Sequence, residues 1–252
     1  MADPLLDNPR AFVTKVASVL GGTSVSDASL SGFLSSEFDP FLNHLFTAGS
    51  VTLAEITEAA AGRPAFIWLT TEPTRDLGAL APAGLVLTVM HGMIASTEPE
   101  PSSVRGRIDG EIIEVGSLVD IDGWFEVYSE VFGADARGRE DWYRVYDALG
   151  PSGDRSLSLL LAKVDGLPAA SGAAFYKEGT VGLYCFATRE SMRGRGLASA
   201  LVQASHAAAR ARGVERALLQ ATDAGRPVYA RAGYHEARAL PVIRSSPVVS
   251  KS

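Results

Sequence analysis

Val181-Gly182-Leu183-Tyr184-Cys185-Phe186-Ala187-Thr188, followed three residues later by Met192-Arg193-Gly194-Arg195-Gly196-Leu197-Ala198, is the stretch on which the fold turns. The first run is uncharged, with branched and aromatic side chains, the make-up of a buried strand. The second opens an alanine-rich helix expected over residues 197–212, with Leu197, Leu201, Ala204, Ala208 and Ala211 on one stripe. Gly194 and Gly196 let the backbone bend tightly. The first helical N–H groups then converge on one place, with the positive end of the helix dipole behind them. Arg193 and Arg195 add charge that complements a phosphate, so the segment reads as an anion cradle. For a lone loop of this kind a plain strand-to-helix connection would be the favoured reading; the downstream run Tyr229-Ala230-Arg231-Ala232-Gly233-Tyr234 turns it towards ligand binding. A dinucleotide-binding loop would need a third glycine where Ser199 stands.

Arg193-x-x-Gly196-x-Ala198 resembles the pyrophosphate-binding loop of the GNAT acyltransferase superfamily, whose members use acyl-coenzyme A. Further parts of the family pattern follow in order. Residues 217–222 look like its fifth strand, Pro227-Val228-Tyr229-Ala230-Arg231-Ala232 like its short fourth helix, and Gly233-Tyr234 like the turn into the next strand. The resemblance covers residues 110–244 and implies an α/β (α+β) fold, a mixed, mostly antiparallel sheet flanked by helices and splayed where the cofactor enters. It also implies a direct attack by an amine on the thioester of acetyl-coenzyme A.

By the same resemblance, Phe186, Ala187 and Thr188 contact the pantetheine and thioester, and a backbone N–H there polarises the carbonyl oxygen. Arg193, Gly194, Arg195, Gly196, Leu197 and Ala198 hold the pyrophosphate, and Thr222 stands where the family often has asparagine or serine. Tyr229 matches the family's usual acid, which protonates the departing thiolate. Pro227 and Gly233 suit the two ends of its short helix. A tyrosine whose ring packs while its hydroxyl meets water is the other reading of that position. The base is not identified: Asp223, Glu190 or water fit equally, and carboxylates beside loops are usually solvated. Trp124, Phe125, Trp142 and Tyr143 lie on two helices that would border the acceptor site. Aromatic residues at helical spacing are more often core, but one or two of them could line a pocket.

The net charge of −6 over 252 residues comes without a block of like charge, which argues against nucleic acid as partner and only weakly favours a cationic amine; the resemblance implies a small-molecule amine as acceptor, ahead of a peptide amine. Cys185 is the one cysteine, so no internal disulfide forms, and within an apolar strand it reads as a packed thiol. His44, His91, His206 and His235 show no metal spacing and are read as structural or exposed; no metal is expected. Asp3, Asp7 and Arg10 precede any apolar core at the amino end, so no export signal is read there. Residues 77–95 nearly lack charge, but Pro82 and Gly84 divide them, and no membrane partner is expected. A cytoplasmic monomer or homodimer is the resulting expectation.

The polar, proline-rich stretch 96–107 reads as a linker between residues 1–95 and a catalytic domain at 108–252. After it come a strand (111–115), helices (118–132 and 140–149), strands (157–164 and 169–176) and the motif region, with a frayed tail at 245–252. The amino-terminal part looks like a worn copy of the same unit: strand 43–46, helix 53–61, strand 65–69, helix 76–83 and strand 85–90. Only Gly49 stands between its first strand and helix, so its anion cradle is missing. The chain thus resembles tandem acyltransferases with one live and one degenerate half, and the fold is expected to be duplicated. An aminoacyl-transferring tandem protein and a non-catalytic coenzyme A sensor stand as alternatives. The first usually lacks the pyrophosphate loop and carries a basic surface, and the second has no need of Tyr229.

Overall fold

The strand–loop–helix forms as β9 (Thr180–Thr188) and α5 (Leu197–Ala211) in a computed structural model, which describes residues 3–36, 39–70, 85–98 and 108–245. The expected helix at 76–83, most of the expected linker and the tail beyond Ser245 lie outside the described residues. The chain divides into two units. One comprises Met1–Pro9 and His91–Arg238, the other Arg10–Met90 and Ala239–Ser252. It passes between them inside helix α1 (Pro4–Leu20), inside strand β5 (Leu85–Ser96) and inside the last strand, β11 (His235–Ser245).

In the first unit the expected elements appear in order: β6 (Glu111–Glu114), α3 (Leu118–Phe132), α4 (Gly138–Leu149), β7 (Leu157–Val164), β8 (Leu167–Lys177), β9, α5, β10 (Arg216–Ala221) and α6 (Arg226–Arg231). The ends of α3 follow from local chemistry. The Ser117 hydroxyl accepts from the Asp120 N–H at 3.2 Å, and Gly133 takes the left-handed conformation, φ 69°, that closes the helix. Strands β6, β7, β8 and β9 pair antiparallel in sequence, and β9 pairs parallel with β10 through the α5 crossover. The far side of β10 is completed by residues 91–96 of β5, antiparallel, with Ala221 opposite His91.

Two apolar layers cover this sheet. Val181, Leu183, Leu219 and Met93 pack with Val202 and Ala209 of α5. On α3 and α4, Trp124, Tyr128 and Trp142 are fully buried, with Trp124 stacked on Tyr128 at 5.1 Å and tilted against Trp142 at 4.8 Å. Truncating a tryptophan so placed costs about 3–5 kcal/mol. Trp124, Phe125 and Trp142 are therefore core residues, and only Tyr143 of the four aromatic candidates stays partly exposed. The buried face of α5 also differs from the expected stripe. Leu197, Leu201, Val202, Ser205, His206 and Ala209 are buried, while Ala211 is exposed. Alanines add little transfer energy, so the larger Leu197, Leu201 and Val202 decide the buried face, and His206 falls on it, hydrogen-bonded at 2.8 Å to the Tyr234 hydroxyl.

The second unit contains β1 (Thr23–Ser26), β2 (Leu30–Leu34), β3 (Asn43–Thr47), α2 (Leu53–Ala60) and β4 (Phe66–Trp68). Strands β1, β2 and β3 pair antiparallel, and β3 pairs parallel with β4 through α2. Residues 242–244 of β11 complete the sheet beside β4, antiparallel. Leu30, Leu45, Val51, Ile56, Ile67 and Ile243 form its core. Both units therefore hold an antiparallel pair, a parallel helical crossover and a closing antiparallel strand supplied from elsewhere in the chain. Among the described residues no helix is long and apolar enough to cross a membrane, and no group of metal-ligating side chains occurs.

Candidate functional site

The register of β8 and β9 breaks at one point. Ser171 lies opposite Ala187 and Ala173 opposite Tyr184, so Cys185 and Phe186 share the single residue Gly172. Cys185 takes φ 57°, which a buried, non-glycine residue adopts only when its surroundings hold it there. Both neighbours of the bulge are explained by sequence. A Cβ on Gly172 would lie 2.9 Å from the Phe186 ring, and the Gly172 carbonyl accepts from the Trp124 indole at 2.9 Å. The core of α3 thus grips the bulge from the side.

Beyond the bulge the two parallel strands part. Pairing of β9 with β10 covers Thr180–Leu183 and Arg216–Leu219, yet β9 runs on to Thr188, and Gln220 and Ala221 pair only with β5. Phe186, Ala187 and Thr188 therefore lie along the parted edge of β9.

At the end of β9, Arg189 pairs with Glu126 at 2.5 Å and Glu130 at 3.4 Å, both on α3. A short turn (Glu190–Met192) then leads into the glycine loop. Gly194 and Gly196 have φ 78° and 79°, and Gly196 caps α5 with no side-chain hydrogen bond to its first N–H groups. Among the described residues a Cβ would meet nothing within 4 Å at Gly194, and at Gly196 only Ile108 Cγ2 at 3.6 Å. The glycines are thus required by backbone conformation, and the space before the helix is open to a ligand. Arg193 is exposed and makes no ion pair among the described residues, while Arg195 makes only a long contact, 3.5 Å, with exposed Asp109. Leu197 is buried beneath the loop and Ala198 stands partly exposed on the first turn. Charge, dipole and open N–H groups all favour an anion here.

Tyr229 stands on α6, whose ring meets Phe186 edge-on at 6.4 Å and Tyr234 at 5.9 Å. The residue is half-buried, and its hydroxyl makes no hydrogen bond among the described residues. Burial, with the Cys185 thiol nearby, raises the phenol above the usual tyrosine range, so it stays protonated at neutral pH. Gly233, φ 88°, turns the chain after α6, and the Tyr234 N–H returns to the Tyr229 carbonyl at 3.0 Å. Thr222 is exposed, and its hydroxyl accepts from the Gly225 N–H at 3.2 Å, shaping the turn into α6.

Of the two carboxylates considered as base, Glu190 is exposed in the turn before the loop, whereas Asp223 lies 2.7 Å from His91 Nε2. Sequence reasoning missed that pairing, because 132 residues separate the partners. It also missed the segment that covers β9 and β10 from the amino terminus. The Tyr184 hydroxyl donates to Asn8 Oδ1 at 2.6 Å, Asn8 donates to Thr180 at 3.1 Å, and Gln220 donates to the Leu5 carbonyl at 2.8 Å. Gly182 is required beneath this contact, since a Cβ there would lie 2.2 Å from Asn8 Oδ1.

This fold has known counterparts. A GCN5-related N-acetyltransferase from Kribbella flavida aligns with a TM-score of 0.60 at 18% identity, over 95% of this chain and 95% of that one. A GCN5-related N-acetyltransferase-like protein from Streptococcus suis aligns at 0.60 and 16% identity, over 92% and 93%. A functionally unknown conserved protein from Staphylococcus epidermidis aligns at 0.66 and 15% identity, over 90% and 95%. The likeness therefore runs through both units, although at such identities it speaks for fold alone. No curated protein sequence matches the chain. Residues 121–234, from α3 to the turn after α6, match the model of the acetyltransferase (GNAT) family.

Proposed function

We propose that the protein transfers an acetyl group from acetyl-coenzyme A to the primary amine of a small molecule. The observation that carries this reading is the parting of β9 from β10 at a bulge, between an uncapped, arginine-flanked helix N-terminus and a protonated tyrosine. Acetyl-coenzyme A supplies an activated thioester and a thiol leaving group. The residues present fit it: the open glycine loop with Arg193 and Arg195 suits a pyrophosphate, and the parted edge at Phe186, Ala187 and Thr188 suits an extended pantetheine arm.

In this reading the bulged backbone beside Cys185 and Phe186 offers an N–H to a carbonyl oxygen that gains charge, in surroundings already dry and fixed. Tyr229 holds a proton at its hydroxyl for the departing sulfur. The unit at Arg10–Met90 is read as a degenerate copy of the same architecture, supported by its parallel crossover of β3 and β4 through α2. It would supply no second coenzyme A site.

The experiment is a screen of amines with acetyl-coenzyme A, following free thiol. With an accepted amine, Tyr229→Phe should lower kcat by about 100-fold with little change in acetyl-coenzyme A affinity. Wild-type kcat in that variant, where chemistry limits the rate, would reduce Tyr229 to a packing residue. Acetyl-coenzyme A binding without thiol release on any amine would make the protein a sensor instead.

A further inference from the structure

Helix α6, which carries Tyr229, is too short to hold its own place. It has six residues and no side-chain cap at its start. Its carboxyl end is held by Gly233 and by Tyr234, whose hydroxyl is bonded to buried His206. At its amino end the Thr222 hydroxyl shapes the turn, and three charged side chains, from that turn, from β11 and from α6 itself, gather around one histidine.

That histidine is His91 on β5, with a side chain only 13% exposed. Its Nε2 lies 2.7 Å from Asp223 Oδ1, on the turn that leads into α6. Its Nδ1 lies 2.9 Å from Glu236 Oε1, at the start of β11, close enough to pair by charge although off line for a hydrogen bond. Glu236 in turn pairs at 3.2 Å with Arg226, the first residue of α6. Asp223, Glu236 and Arg226 are the charged groups that face the ring. With the imidazole protonated, the four charges cancel, the Nε2–H donates to Asp223, and Glu236 pairs with the ring by charge. A neutral imidazole has one N–H, so one carboxylate would then face a lone pair, and the cluster would carry a net negative charge.

We propose that His91 is the positioning residue of α6: as an imidazolium it ties Asp223, Glu236 and Arg226 together, and so holds Tyr229 at the parted edge of β9. This rests on the acyl-transfer reading only for the consequence at Tyr229; the clamp itself is a property of the fold. The two carboxylates, Glu236 foremost, raise the imidazole above its usual range. A group raised on folding contributes fully below its unfolded value and loses the contribution as pH climbs through the folded one, so α6 loosens on the alkaline side.

The test combines three variants with three readings on the full chain. His91→Gln, Glu236→Gln and Asp223→Asn are compared by amide hydrogen exchange over residues 226–234, by nuclear magnetic resonance titration of the His91 ring, and by kcat and KM. In His91→Gln, exchange over 226–234, corrected for intrinsic rates, should quicken by about tenfold, as should wild-type exchange once the ring has titrated. Glu236→Gln and Asp223→Asn should each shift the ring titration downward. For an accepted amine, kcat should fall by about tenfold in His91→Gln while KM for acetyl-coenzyme A moves by less than about threefold. The wild-type to variant kcat ratio should shrink at alkaline pH, where the wild type also lacks its imidazolium. Unchanged exchange over 226–234 in folded His91→Gln, or a ring titration indifferent to both carboxylate variants, would overturn the clamp. If His91→Gln does not fold, the ring titration and exchange in the two exposed-carboxylate variants decide. If no amine is acetylated at all, the acyl-transfer reading falls, and exchange and titration still decide the clamp.

Discussion

Helices α5 and α2 each follow a buried strand and lead into a parallel partner, yet their first turns are opposites. Helix α5 starts from Gly196 in the left-handed region, with no side-chain cap among the described residues and two arginines beside it. Helix α2 starts from Thr52 in extended conformation, with a complete capping box: the Thr52 hydroxyl accepts from the Glu55 N–H at 3.2 Å, and the Glu55 carboxylate accepts from the Thr52 N–H at 2.6 Å. Both helices present the same dipole to the same kind of turn. In one it is left uncapped, and in the other it is satisfied by the chain's own carboxylate, which the Thr52 N–H holds below the usual glutamate range. An anion site is thus a property of the cap rather than of the fold.

The comparison breaks most visibly if α5 is given α2's solution. Gly196→Asp places a carboxylate where the open N–H groups converge. Aspartate tolerates positive φ better than most residues, and the added Cβ has only Ile108 as neighbour, so the fold should persist. Coenzyme A affinity should fall by about 100-fold, equivalent to about 2.7 kcal/mol. Gly196→Ala, which adds strain but no charge, should cost much less. Calorimetry that gives the two variants equal affinity would mean that backbone shape, and not the vacant dipole, makes the site.

Much of this contrast could be read in the chain before any coordinates. Ser117 and Gly133 mark both ends of α3, residues 157–164 read as a strand because every position but Lys163 is apolar or small enough for a two-sided sheet, and the glycines at 194 and 196 announce the tight turn before α5. Other features depend on distant partners and leave no local mark. The bulge at Cys185 lies inside an unbroken apolar run and is made by Gly172 and Trp124. Strand β5 was expected to end at Met90, whereas it continues to Ser96 because β10 offers it an edge. Periodicity reports that a segment is a strand, not which sheet it will join. Helix α1, which carries Pro9 inside it, and the four- and five-residue strands β1 and β2 drew no expectation.

Each unit also buries one histidine, and these should respond alike to acid. His44, 4% exposed, accepts from the Trp68 indole at 3.2 Å, and His206, 7% exposed, bonds Tyr234. Burial lowers the first to about 3 and the second to about 4. Both folded values lie below the ordinary imidazole value, so the unfolded chain binds more protons in between. The stability from each is complete above that ordinary value and is lost as pH falls towards the folded one. The loss should be on the order of 1–3 kcal/mol per histidine. Urea unfolding from pH 7 to pH about 4.5 measures it, with His206→Asn expected to flatten part of the slope. An identical slope in that variant would mean that His206 is as wet in the fold as out of it.

The smallest effect lies at the closed cap, and it bears on whether α2 could be opened as α5 can be closed. Removing both halves of the capping box, in Thr52→Gly with Glu55→Ala, frees the first N–H groups of α2 and takes away the carboxylate. The cost should be about 1 kcal/mol, since water replaces the lost partners and the site is exposed. Coenzyme A stoichiometry should stay at one per chain, because an uncapped dipole alone is a weak attraction in water. Helix α2 has no arginine beside it, and β3 and β4 show no bulge. Titration of the double variant with coenzyme A separates the outcomes. A second site appearing in it would mean that the Glu55 carboxylate had been holding a competent cradle shut; one site, with slightly lower thermal stability, would mean that opening the helix is necessary for an anion and far from sufficient.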